Sequence, residues 1–300
     1  MANNKILPQS LINSGISLDT HIFRYRSDRD FVVQNDGVNV SKNIITEEIE
    51  AYSIWHSAVG ALNDPFEIYA KKNIREFERM TKNQKINLWL KVVTRLGNEG
   101  LMALSSEEIL NAYEHDKERL EKTVKDVNAN DTSFSNFIND IRETIGIACF
   151  TSVCDSRLMW GYYCNGLSGV CLIYNIKSLL QQKVELNTVS YLDGAVELNV
   201  LDFVYNYMDE ERATKLSQIV KTKHIEWAHE LESRSVVDLR GDEIGKGRLI
   251  KMNRSCIDGV IVGRNTRPEI KTAIENLSEK IGFRMFDADV DYQLFGVKIV

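Results

Sequence analysis

The sequence predicts an α+β protein, a mixed, largely antiparallel β core interrupted by a helical insertion. Three observations carry this. Short apolar or alternating runs recur on both sides of the middle of the chain, the pattern of half-buried or fully buried strands. Between them, residues 68–145 repeat apolar side chains at helical spacing. Only three prolines occur and no low-complexity tract, so no linker announces a boundary. The expected organisation is a core of residues 1–67 and 146–300, with 68–145 as a helical insertion packed on it. Three hundred residues at 43% hydrophobic composition suffice to bury such a core.

Taken in order, residues 1–20 read as a lead-in, and His21 to Ser27 alternate as a strand that puts Arg24 and Arg26 on one face. Two guanidinium groups so placed can grip a phosphate or carboxylate with paired hydrogen bonds. Thr46-Glu47-Glu48 is a short helical signal, followed by the apolar stretch Ala51 to Trp55. Asn63-Asp64-Pro65-Phe66-Glu67 is a turn, because the residue before a proline is pushed out of the α region. Its polar side chains suit either an Asx-type turn or the rim of a pocket.

In the insertion, Ser105 and Glu108 form a capping box, and Leu110, Tyr113, Leu120, Val124 and Val127 trace one stripe behind it. Gly146 to Tyr174 is the most informative stretch. Apolar strands at 147–150 and 170–174 flank Met159-Trp160-Gly161-Tyr162-Tyr163, whose aromatic faces suit a planar ligand. A short helix at 177–183, a strand at 189–191 and a long helix over 208–231 are expected next. Glu230, Glu232 and Arg234 share a face if that segment is already extended. Paired carboxylates beside an arginine can orient a hydroxyl, stabilise a cationic transition state, or act as acid and base. His229 reads as structural. Strands at 249–252 and 259–263 lead to a helix with a Thr266/Glu269 capping box, Pro268 in its first turn and Gly282 at its end. Gly263-Arg264-Asn265-Thr266 could offer amide groups to an anion, although no phosphate-loop pattern is present. Strands around Phe286 and Val297 finish the chain.

A net charge of -6 gives no global basic field, which disfavours nonspecific nucleic-acid binding. The five cysteines are an odd number in or beside apolar runs, fitting reduced, buried thiols. No CxxC pair occurs and the five histidines are scattered, so no metal is expected. With neither a leader pattern nor an 18-residue apolar run, a cytoplasmic location without membrane contact is expected.

The ordered set Phe23-Arg24-Tyr25-Arg26-Ser27, Asn63-Asp64-Pro65-Phe66-Glu67, Cys149-Phe150-Thr151 with Met159-Trp160 and Tyr163, Gly169-Val170-Cys171, and Trp227-x-x-Glu230-x-Glu232-x-Arg234 resembles a large bacterial domain-of-unknown-function family. The resemblance spans about residues 21–265, leaving the helical insertion outside it. Many members carry His just before the Lys-Gly-Val-Cys segment, where this chain has Leu167 before Ser168-Gly169. The layout is also similar to ADP-ribosyltransferase-like folds. That similarity implies NAD as a substrate, held by Arg24 or Arg26 on an early strand. Trp160 or Tyr163 would pack on the nicotinamide, and Glu232 with Glu230 would orient the ribose. Tyr25, Asn63 and Asp64 are further binding candidates beside these, and Arg234 is a catalytic candidate with the two glutamates. Such groups include toxins and phage-defence proteins.

The leading expectation is an NAD-using ADP-ribosyltransferase-like or NAD-cleaving enzyme, with the protein or nucleic-acid acceptor open. A non-catalytic recognition or regulatory module is the alternative, with the helical insertion as a partner surface or homo-oligomer contact. A Mg-dependent nuclease or phosphoesterase using Asp64, Glu67, Glu230 and Glu232 is a further alternative. Sensitivity to a chelator separates the last from the first, and the effect of removing the glutamates separates both from the second.

Overall fold

A computed structural model describes residues 7–35, 38–95, 105–198 and 210–300. The chain is α+β, as its apolar patterning predicts. It divides into two units that the backbone visits alternately: residues 1–63, 143–189 and 226–300 in the first, 64–142 and 190–225 in the second.

The first unit opens with α1 (Gln9–Asn13), β1 (His21–Ser27), the hairpin β2 (Asp30–Asn35) and β3 (Val38–Asn43), α2 (Ile44–Glu50) and β4 (Ser53–Ala58). The second unit then takes β5 (Ala70–Lys72), α3 (Glu76–Arg79), α4 (Lys82–Arg95), α5 (Ser106–Ala129) and most of α6 (Asp131–Thr144). The chain returns to the first unit through β6 (Ile145–Thr151), α7 (Arg157–Tyr162), β7 (Gly169–Asn175), α8 (Ile176–Gln181) and β8 (Asn187–Thr188). It adds β9 (Ser190–Leu192), β10 (Val196–Leu198), α9 (Glu210–Val220) and β11 (Thr222–His224) to the second. A 3-10 turn (Ile225–Glu230), β12 (Glu232–Asp238), β13 (Gly247–Lys251), β14 (Ile257–Gly263), α10 (Pro268–Ile281), β15 (Arg284–Asp291) and β16 (Gly296–Ile299) complete the first.

Among the described residues the main sheet has ten strands, ordered β13-β4-β6-β1-β7-β14-β15-β16, with β12 on β6 and β8 on β12. Pairing is antiparallel except between β14 and β15. β7 is buried on both faces: Val170, Leu172 and Tyr174 join one core, Cys171 and Ile173 the other. A strand sandwiched between two apolar layers has no solvent side, which is why its sequence is continuously apolar rather than alternating. The first core packs Ile45 and Ile49 of α2 and Ile270, Ile274 and Ile281 of α10; the second packs Leu11 of α1 and Met159 and Trp160 of α7. All five cysteines are free thiols, four of them buried.

One strand organises the site. β6 carries β12 along its whole length on one edge. Its other edge is divided, with β4 pairing at Gly146 and Ile147 and β1 only at Thr151. β1 and β4 therefore part along residues 148–150.

In the second unit, parallel pairs join β5 to β10 and β9 to β11. Phe77, Leu88, Trp89, Val92, Tyr113, Leu120 and Val124 form its core, and the capping box of Ser105 and Glu108 starts α5. Residues 190–225, assigned to the core from sequence, thus belong with 64–142. The helix expected over 208–231 ends at Val220, and positions 208 and 209 lie outside the described residues. Pairing of β11 with β9 and the buried ion pair of Lys223 Nζ with Glu67 (3.1 Å) hold 222–224 extended against helical periodicity. The expected Thr266/Glu269 capping box does not form. The helix begins at Pro268 after Arg267, and the Thr266 hydroxyl donates instead to the Gly169 carbonyl (2.9 Å).

Candidate functional site

Where β1 and β4 part, a cavity of about 50 Å³ is lined by Arg24, Tyr25, Cys149, Phe150, Thr151, Met159, Tyr163, Glu230 and Glu232, all of the first unit. Arg24 and Tyr25 come from consecutive positions of β1, and the divergence from β6 admits both to the same space. The Arg24 side chain crosses the gap. Its Nη2 donates to the Trp55 carbonyl of β4 (2.8 Å), its Nε lies 3.5 Å from Glu48, and its guanidinium sits 5.5 Å from the Phe150 ring centroid. Its Nη1 is buried without a hydrogen-bond partner.

The two carboxylates reach the cavity through a sharp change of backbone. Glu230 closes the 3-10 turn, Leu231 adopts a left-handed conformation (φ 43°), and Glu232 begins β12 opposite Thr151. Leu231 points out, at 41% exposure, while Glu230 and Glu232 are buried. Each has a well-placed contact. Glu232 is gripped by the fully buried Arg234, with Nε to Oε1 at 2.7 Å and Nη2 to Oε2 at 3.2 Å. Such a fork holds the carboxylate in one orientation. Glu230 Oε1 accepts the Tyr163 hydroxyl (2.6 Å), and its backbone carbonyl accepts the Thr151 hydroxyl. Tyr25 stands edge-on to Trp160, ring centroids 5.3 Å apart, and burial pushes its phenol well above the ordinary range, so it faces the cavity neutral.

Of the residues singled out from sequence, Arg24, Tyr25, Tyr163, Glu230 and Glu232 line this one space. Arg234 acts from behind Glu232. Trp160 is core: its indole N–H donates to the Cys154 carbonyl (2.8 Å) and its ring supports Tyr25. Arg26 lines a different cavity, beside Glu48. Asn63 is exposed, and Asp64 belongs to the second unit, where its carboxylate accepts the Phe66 N–H (2.9 Å) in an Asx turn. Glu67 is occupied by Lys223 in the same unit. Arg264 pairs with Asp289 (3.0 Å), and Asn265 donates to the Gly166 carbonyl, so the 263–266 turn is bound into neighbouring loops.

Sequence reading missed Glu48 and the lining at Phe150, Thr151 and Met159. The signal for Glu48 was present. Ile45, Glu48 and Ile49 fall at i, i+3 and i+4, which places one charge inside an apolar stripe.

No helix among the described residues is long and apolar enough to cross a membrane. Residues 159–235 match the model of a family described as a protein of unknown function (DUF2971). The match begins at Met159 of α7 and ends at Ser235 of β12, so it takes in Tyr163, Glu230, Glu232 and Arg234. Comparison with curated proteins and with solved structures gave no match.

Proposed function

We propose that the cavity at the β1–β4 parting cleaves or transfers at an N-glycosidic bond, with NAD as the substrate. The observation that carries this reading is one small cavity lined by two buried carboxylates, with Arg234 on Glu232 and the Tyr163 hydroxyl on Glu230. Glycosidic chemistry asks for that division of labour, one fixed negative charge beside the developing cation and a second carboxylate for proton transfer.

When the bond from ribose C1′ to the nicotinamide nitrogen breaks, the bonding electrons go to the ring and neutralise it. Nicotinamide then leaves without needing a proton. What remains is positive charge spread over C1′ and the ring oxygen, followed by attack of a nucleophile that must lose a proton. Glu232 is held to face that charge and costs no reorganisation. Glu230 takes the proton from water or from an acceptor hydroxyl, with Tyr163 steadying it. The free Nη1 of Arg24 serves an oxygen of the substrate. Tyr25, Phe150 and Met159 give the ring an apolar wall. At about 50 Å³ the space is smaller than an aromatic ring needs, so the reacting end of NAD enters only as the lining side chains move apart.

Incubation of the purified chain with NAD tests this through nicotinamide release. The expected result is chelator-insensitive release that falls roughly 100- to 1,000-fold in Glu232→Gln. Tyr163→Phe should fall less, by about tenfold, because the Glu230 carboxylate stays in place. No release, or release untouched in a folded Glu232→Gln, overturns the proposal and moves the weight to a recognition or regulatory module.

A further inference from the structure

A second cavity of about 520 Å³ lies elsewhere in the first unit, walled by Arg26, Arg29, Phe31, Glu48, Trp55 and Leu249 with neighbours from α2 and β4. That volume is in the range of small-molecule sites. Its chemistry follows from an imbalance of charge. Glu48, buried in the apolar stripe of α2, accepts the Tyr174 hydroxyl (2.8 Å) and faces both Arg24 Nε (3.5 Å) and Arg26 Nε (2.6 Å). Two guanidinium groups against one carboxylate leave one positive charge over. Glu47, the other carboxylate in the lining, is taken by Lys42 Nζ at 2.8 Å. Arg29 adds an exposed guanidinium that no ion pair joins among the described residues.

The Arg26–Glu48 contact is close but not aligned. Arg26 Nε and Nη2 are both buried and neither makes a hydrogen bond. Leaving charged donors buried and unsatisfied is costly. Burial also draws the Arg26 pKa below its usual value, with Arg24 and Arg29 acting in the same direction and Glu48 against them. The surplus positive charge at Arg26, with the exposed guanidinium of Arg29 in the same lining, matches the oxygens of a carboxylate or phosphate. Above it, the half-buried Trp55, Leu249 directly across the β4–β13 pair, and Phe31 of the hairpin offer flat and apolar surface.

We propose that this cavity binds a small aromatic molecule carrying one phosphate or carboxylate, the oxyanion on Arg26 and Arg29 and the ring against Trp55 and Phe31. The site is separate from the carboxylate cavity and does not rest on NAD cleavage.

Calorimetric titration of the full chain with adenosine 5′-monophosphate and with benzoate tests both oxyanions, and adenosine and benzyl alcohol are the uncharged controls. The expected result is saturable binding of at least one anionic probe, at least tenfold tighter than its uncharged control. Binding should weaken tenfold or more in Arg26→Gln and severalfold in Arg29→Gln. It should also alter tryptophan fluorescence in a way that Trp55→Phe abolishes. Arg29→Gln keeps the test decisive if Arg26→Gln fails to fold, since Arg29 is exposed. Glu232→Gln should bind the same probe unchanged, which separates this site from the first. Three outcomes overturn the proposal: neither anion binds at millimolar concentration, the uncharged controls bind as tightly, or Arg29→Gln and Trp55→Phe both bind like the unaltered chain.

Discussion

At the scale of single residues, the first unit holds its ionisable groups by giving each a partner of fixed geometry. His56 shows the consequence for pH. It is completely buried on β4, with Nδ1 3.3 Å from the Ile54 carbonyl and Nε2 3.1 Å from the Ser235 hydroxyl. A carbonyl can only accept, so Nδ1 carries a proton, and the lowered pKa leaves the ring neutral with Nε2 accepting the Ser235 hydroxyl. Burial first, then the positive charge of Arg24, pulls its pKa from 6.5 down to about 4. A base whose folded pKa is lowered binds its proton more readily when unfolded. Its contribution is therefore whole above about pH 6.5 and is lost as the pH falls toward 4, by at most about 3 kcal/mol. Urea unfolding at pH 7.5 and 5.5 should show this decline, and His56→Gln should flatten it. An equal decline in the variant would assign it to other groups. The sequence announced His56 weakly, through its place between Ile54 and Ala58 in an alternating strand. Arg24 and Glu232 were legible because a buried face and a spacing of two suffice to mark them. Trp160 was misjudged for the opposite reason, since aromatic type alone does not say which side of a ring meets solvent.

At the scale of elements, close backbone approach decides more than propensity. A Cβ on Gly263 would lie 2.3 Å from the Leu167 carbonyl oxygen and 2.9 Å from that of Gly169, both backbone atoms that cannot swing aside. That contact docks the end of β14 on the loop that leads into β7. Gly263→Ala should therefore destabilise the chain by about 1–3 kcal/mol, as overpacking does elsewhere. Chemical denaturation would measure it, and Gly161→Ala, where an added Cβ meets nothing within 4 Å, is the control. A similar cost in both variants would refute the steric reading. Element positions were legible in the sequence wherever the apolar period was clean, as in β1, β6, β7, β14 and α5. They were not where a long-range partner overrode local preference: Lys223 reads as a helical position until Glu67, far earlier in the chain, holds it in a strand. No local pattern could have shown the parting of β1 from β4 either, because it depends on which strands share the edge of β6.

At the scale of the whole molecule, the two interruptions of the first unit have ends that this unit itself brings close. Gly146 pairs with Ala58, a few residues inside the first junction. Thr188 pairs with Ser233, and the Val189 N–H donates to the Glu232 carbonyl, beside the second. Closing a gap between neighbouring strand ends costs little, since loop entropy grows slowly with length. The sequence suggested removing one insertion, but the chain demands two. Leu198 of β10 is buried and pairs with Lys72 of β5, so deleting 64–142 alone would strip β10 of its pairing strand. A chain in which 64–142 and 190–225 are each replaced by a short Gly/Ser linker should unfold cooperatively and keep the anion cavity, whose lining lies wholly in the first unit. The single deletion of 64–142 should aggregate. Denaturant unfolding, light scattering and adenosine 5′-monophosphate titration of the two variants measure this. A double deletion that fails to fold would mean that the first unit is not an independent folding unit.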